Sequence, residues 1–380
     1  MESSGARAWR VALAGVTAGM ALLAGMALLA GAALLGGCSS EPDAAQSTAA
    51  GSPTTAASPT PSAPAGGSVT PAAPVELRLA FAGDVHFTGR TLRLLDDPES
   101  AFGRITPTLR DADLTLLNLE TAVTGRGTPQ PKRFRFRAPE SAYAALHAAG
   151  VDAASIANNH VLDYGPVGLR DTLDAAARAE FPVFGAGRNA DAAYAPWLTT
   201  VRGVRVAVLG MSQVHELAAQ WKPTATRPGV AMAFDADRAT AAVRAARSRA
   251  DLVIVFMHWG VEGSSCPSGE MRSFANRMAR AGADIVLGTH AHTLLADGWL
   301  GRTYVHYGLG NFLWYGDSKS TDSGVLRLTV RGRTVIRNEF LPGTVSRTGQ
   351  PVLVAGAARQ RIEDRIASAK RCSGLAAERS

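Results

Sequence analysis

The chain has 380 residues, 46% hydrophobic and 19% charged, with a formal net charge of +7. Roughly 300 residues suffice for one large domain with a substantial core. The basic excess suits an anionic polymer or surface, and equally mere solubility; there is no nucleic-acid-binding motif, so nucleic acid is excluded as the expected partner.

Arg7 and Arg10 precede an uncharged apolar run over residues 11–37, followed by Cys38. A basic start, an apolar stretch and small residues before a cleavage point describe an export signal over 1–37. Leu35-Gly36-Gly37-Cys38 resembles the lipobox of bacterial lipoproteins, in which the Cys becomes the lipidated first residue of the mature chain. The alternative is an uncleaved signal anchor, since the run is long enough to cross ~30 Å of hydrocarbon. Either way the rest is expected outside the cytoplasmic membrane. Loss of Glu2, Arg7 and Arg10 with the signal takes the charge from +7 to +6. Residues 38–74 are almost wholly Ala, Ser, Thr, Pro and Gly, which bury too little apolar surface to offset ordering entropy. They read as a disordered tether.

Folding is expected from residue 75, with a main domain over 75–357 and a C-terminal helix and tail over 358–380. Strands are predicted at 76–82, 113–117, 153–156, 183–184, 205–211, 252–257 and 285–287, and later at 304–307, 324–331 and 334–340. Helices are predicted at 102–110, 140–149, 166–180, 235–248, 268–281 and 360–370. The alternation predicts an α/β fold with helices covering sheet faces. Besides Cys38 there are Cys266 and Cys372, which would pair as one disulfide outside the cell if geometry permits.

Polar clusters follow five of these strands: Gly83-Asp84-Val85-His86, Asn118-Leu119-Glu120, Asn158-Asn159-His160 with Asp163, His258-Trp259-Gly260, and Gly288-Thr289-His290-Ala291-His292. Carboxyl ends of strands gather on one sheet edge in α/β folds, where loops build the site. A two-cation site needs a shared anionic ligand plus neutral nitrogen and oxygen donors, and this inventory supplies them. An Asp-x-His or His-x-His pair at a strand end can aim two donors into one pocket if the local chain leaves a regular strand.

With Phe134-Arg135-Phe136 before Pro139-Glu140, Asp163-Tyr164-Gly165, Val261-Glu262 and Gly308-Leu309-Gly310-Asn311-Phe312, these motifs resemble the calcineurin-like metallophosphoesterase superfamily. They resemble most closely the CapA family of poly-γ-glutamate capsule synthesis proteins, over about residues 76 to 315. The resemblance implies a four-layer α/β/β/α sandwich with two mixed sheets, and one or two divalent ions (Mn, Fe or Zn). Asp84, His86 and His292 would hold the first, and Asn159, His258 and His290 the second. Glu120 would stand where an Asp usually bridges the two, adding a methylene. His160 would be the acid at the leaving oxygen, with Asp163 orienting it. The implied function is assembly, anchoring or trimming of an extracellular anionic polymer such as poly-γ-glutamate. The rival is a non-catalytic polymer-binding accessory subunit of a membrane capsule-synthesis complex.

Each residue also has a plainer reading. Glu120 would cap the following turn, Asn159 would be a turn residue, and Asp163 would cap the helix beginning at Pro166. His258 would be a core imidazole. The alternation of Arg133, Arg135 and Arg137 with Phe134 and Phe136 describes either a charged, solvated strand edge or an arginine row gripping polymer anions.

Overall fold

The computed structural model describes residues 75–315 and 321–380. The predicted signal, Cys38 and the tether lie outside these. Among the described residues no helix is long and apolar enough to cross a membrane.

Two mixed sheets form the frame. In the first, strands Glu76–Val85, Leu114–Leu119, Ala153–Ser155 and Val183–Phe184 run parallel in that order. On the other side of Glu76–Val85 lie the antiparallel strands Asp322–Arg331, Thr334–Val345 and Pro351–Leu353, while short Asn311–Leu313 pairs parallel to its end. The second sheet runs Asp297–Leu300, Thr303–His306, Ile285–His290, Leu252–Trp259, Val204–Ser212, Trp197–Val201, its four central strands parallel and its edges antiparallel.

The side-chain alternation sorts the layers. In Leu252–Trp259 all eight residues are buried, as expected of a parallel strand covered on both faces. Ile254 and Phe256 meet Leu79, Phe81 and Leu116 of the first sheet in a shared core, while Val253 and Val255 face outward against Val243, Phe274 and Met278. On the far face of the first sheet Leu117 and Leu119 pack with Tyr143, Leu146 and Leu169 of helices Ser141–Ala149 and Gly165–Arg178. The order is helices, sheet, sheet, helices: the four-layer sandwich that the family resemblance implies. Each such large apolar side chain contributes about 1.5–3 kcal/mol when buried.

Helix Gly269–Ala281 illustrates the local rules. Ser268 accepts from Met271 N at 3.2 Å, the buried residues Met271, Phe274, Ala275, Met278 and Ala281 recur on one stripe, and Gly282 closes the end at φ 112°. The single helix expected over 102–110 is instead one short 3-10 turn, Gly103–Ile105, followed by helix Thr106–Arg110. The terminal helix spans Gly356–Lys370; Ile362 and Ile366 pack on Leu294, and Arg365 meets Asp322 at 2.7 Å. Cys266 and Cys372 form a disulfide, Cα–Cα 5.9 Å, tying the loop after Leu252–Trp259 to the tail.

Candidate metal centre

Strands predicted to stop short of the polar clusters run into them: Asp84, His258 and His290 are themselves strand residues. Gly83 is required here, because a Cβ would collide with the Gly310 carbonyl that accepts from Asp84 N. Asp84, Glu120 and Asn159 come from the first sheet, and His258, His290 and His292 from the second. The site straddles the two sheets at one edge. His290 and His292 both lie in the left-handed region, φ 81° and 54°. That conformation is costly for non-glycine residues, and it is how the chain leaves the strand to turn both rings inward.

Two groups of potential ligand atoms lie within 4.8 Å of one another: Glu120 with His290 and His292, and Asp84 with Glu120 and His258. Glu120 belongs to both, as a bridging ligand would. It is fully buried, and neither of its oxygens has a hydrogen-bond partner. Its nearest imidazoles are His258 Nε2 at 3.4 Å and His160 Nε2 at 3.7 Å. Burial holds His258 down at about 3 and His160 well below its ordinary value, so neither supplies countercharge. Burial, reinforced by the Asp84 charge, raises the Glu120 carboxyl well above the usual range. A carboxylate with no donor is a costly thing to bury, and a bound cation removes that cost. The donor set fits a divalent metal: two carboxylates, an amide oxygen and imidazoles.

The rest of the first sheet's contribution is well braced. Asp84 accepts from Asn118 Nδ2 at 2.8 Å and from His290 N at 3.1 Å, and its Oδ2 lies 3.3 Å from His292 Nδ1. Burial opposes its ionisation, but His292 and His258 hold the Asp84 carboxyl below its ordinary value. Burial likewise opposes a charge on His292, yet Asp84 and Glu120 push it up to about 9. Without metal, a proton there offsets part of the acidic charge. The Thr289 hydroxyl bonds Met257 O at 3.1 Å and His258 Nδ1 at 2.9 Å. Asn118 Nδ2 also lies 3.3 Å from His258 Nδ1, while Nε2 lies 2.8 Å from Asn159 Oδ1.

His160 stacks on Phe136 at 3.9 Å, and its Nδ1 is 2.7 Å from Asp163 Oδ2. The same Asp163 oxygen accepts from Phe136 N at 2.6 Å. Burial raises the Asp163 carboxyl to about 7 against the opposing charge of Lys132. Asp163 does not cap the helix at Gly165, which has no side-chain cap, and Glu120 caps no turn. Asn159 turns its amide to His258 and Glu216 rather than to its own turn.

His86 stands outside both groups. Its ring nitrogens face the peptide N–H groups of Thr88 at 3.2 Å and Tyr315 at 3.4 Å, and Phe136, Trp314 and Tyr315 surround the ring. The arginine row is not one strand: only Arg137–Ala138 is extended. Arg133 is exposed over Phe134, Arg135 donates to the carbonyls of Lys132 and Gln130, and Arg137 stacks on Tyr164 at 3.6 Å. A cavity of about 770 Å³ lined by Leu92, Val123, Pro139, Arg126 and Arg137 contains none of the ligand residues. Two residues with no assigned part in the sequence reading join the site. Lys132 is buried against Asp163 and Glu216, and Glu216 reaches Asn159. Lys132 falls on the inward parity of the alternation, with Phe134 and Phe136, and nothing in the sequence singles out Glu216.

The sequence profile of the family described as "Bacterial capsule synthesis protein PGA_cap" matches residues 78–315. The chain is similar to "PGA biosynthesis protein CapA" of Bacillus subtilis (strain 168), 30% identical over 273 residues, 70% of this chain and 71% of that one. It is similar also to "Capsule biosynthesis protein CapA" of Bacillus anthracis, 29% identical over 294 residues, 74% and 70% of the two chains. Among solved structures, a hypothetical protein from Thermus thermophilus covers 70% of this chain and 98% of its own at 18% identity and TM-score 0.46.

Proposed function

The chain belongs to the bacterial capsule synthesis protein family, and from that premise we propose that it assembles, anchors or trims an extracellular anionic polymer of poly-γ-glutamate type. In this reading it is exported and held at the outer face of the cytoplasmic membrane by lipid on Cys38, or by an uncleaved anchor. Membrane capsule-synthesis subunits are its expected neighbours. The chemistry is metal-dependent hydrolysis or transfer at a phosphoester.

The observation that carries the catalytic part is the buried, unbonded Glu120 shared between two groups of ligand atoms. Asp84, Glu120, Asn159, His258, His290 and His292 would hold one or two divalent cations. Such ions polarise a phosphoryl oxygen and acidify water when bound. His160 presents Nε2 to the site while Asp163 holds Nδ1, so Nε2 is where a proton is exchanged with a leaving oxygen. Stacking on Phe136 fixes the plane of that ring. Exposed Arg133 is the member of the arginine row best placed to meet polymer anions.

The test is turnover of an aryl phosphodiester and an aryl phosphomonoester with added Mn²⁺. Metal-dependent hydrolysis that falls at least tenfold in His160→Ala is expected. No turnover, with retained binding of polyglutamate, would move the protein to the accessory class, its metal serving structure or polymer carboxylates.

A further inference from the structure

We propose that Lys132 and Glu216 are positioning residues that decide which end of the Asn159 amide faces the cations, an inference that rests on the metal-binding part of the function above. A side-chain amide can turn its oxygen and nitrogen end for end, and only the oxygen can ligate a cation. Asn159 Nδ2 lies 3.1 Å from Glu216 Oε2, and its Oδ1 lies 2.8 Å from His258 Nε2. An ionised carboxylate only accepts hydrogen bonds, so Glu216 selects the nitrogen and leaves the oxygen turned to His258.

Glu216 does not hold this place by packing. It follows strand Val204–Ser212, and its side chain is 38% exposed. What fixes it is Lys132 Nζ, 2.8 Å from the same Oε2 on a side chain only 2% exposed. The ammonium also contacts Asp163 Oδ1 at 2.9 Å and the Asn159 carbonyl. Three oxygens therefore surround one buried ammonium. One buried ammonium thereby braces both the ligand amide of Asn159 and, through Asp163, the ring of His160. Arginine cannot replace it, because a planar fork does not reach three oxygens arranged around a point.

The test is Mn²⁺ titration calorimetry on the purified full-length protein in detergent, beside its metal-free thermal midpoint. Glu216→Ala should weaken binding roughly 10–100-fold, the usual effect of losing a residue that orients a ligand, with the midpoint unchanged. Glu216→Gln should recover affinity to within about threefold of wild type, since its carbonyl still accepts from Asn159. On an Asn159→Asp background, where both ends are oxygen, Glu216→Ala should cost no affinity. Lys132→Met strands the Asp163 carboxylate and can fail to fold, so the Glu216 variants decide. Wild-type affinity in Glu216→Ala, or an equal loss on the Asn and Asp backgrounds, overturns the orienting role alone. Absence of Mn²⁺ binding by the wild type overturns the proposed metal site and this inference together.

Discussion

Two buried carboxylates in this protein have opposite surroundings. Asp284, at the start of strand Ile285–His290 and remote from the site, is 4% exposed and accepts from Val253 N at 2.8 Å, Arg333 Nε at 2.8 Å and Arg247 Nη1 at 2.5 Å. It ties a helix, a strand and a hairpin together, and both oxygens are used. Glu120 is more deeply buried and receives nothing. Burial alone therefore does not distinguish glue from site. The distinction lies in whether the fold itself supplies the donors that a charged group requires.

The largest effect that would break this contrast is on cation binding. Glu120→Gln should cost about 4 kcal/mol of Mn²⁺ affinity, near a thousandfold, on the scale of one ligand's share of the roughly 10–16 kcal/mol of a structural zinc site. Its metal-free thermal midpoint should hold or rise, because no bonded partner is lost. A fall in that midpoint with affinity intact would make Glu120 structural. Asp284→Ala should do the reverse, destabilising by about 3 kcal/mol in urea titration with Mn²⁺ affinity retained.

A third buried group sharpens the rule. His306 is 1% exposed, neither ring nitrogen has a partner, and it faces the inter-sheet core beside Phe340, 5.7 Å away. Burial, with the Lys370 charge and against that of Asp297, lowers it to about 4. A histidine depressed in the fold but ordinary when unfolded stabilises the fold least in acid. Its cost is absent above pH ~6.5, grows as pH falls from there towards 4, and levels off below that at about 3 kcal/mol. His306→Leu should flatten that acid limb of the stability–pH curve, and an unchanged limb would clear His306. At the small end, Arg359→Ala on the exposed Arg359–Glu363 pair of the terminal helix should cost no more than about 0.5 kcal/mol.

The frame was legible because buried parallel strands are continuous apolar runs: 252–257 and 285–287 were recognisable from composition, and the ligands crowd their ends. The strand ends were less so, since Asp84, His258 and His290 are polar residues that continue the ladder for site reasons. Alternation misled at Phe134, which it turns inward and the fold leaves exposed, although Lys132 and Phe136 on the same parity are buried. That loop follows the site's contour and not a sheet. Glu216 was invisible for a simpler cause: its importance is a contact across 57 residues to Asn159, and nothing in its own neighbourhood marks it. The environment of His86 depends on Trp314 and Tyr315, more than 200 positions away.

The hydrogen bond from His290 N to Asp84 joins the two sheets at the edge where the ligands meet. Neither half of the sandwich owns a complete set of donors, so a refolding intermediate with one sheet formed has nowhere to seat an ion. If the proposed site binds a cation, its capture during refolding would timestamp the docking of the halves, with a metal-sensitive dye in a stopped-flow mixer as the clock.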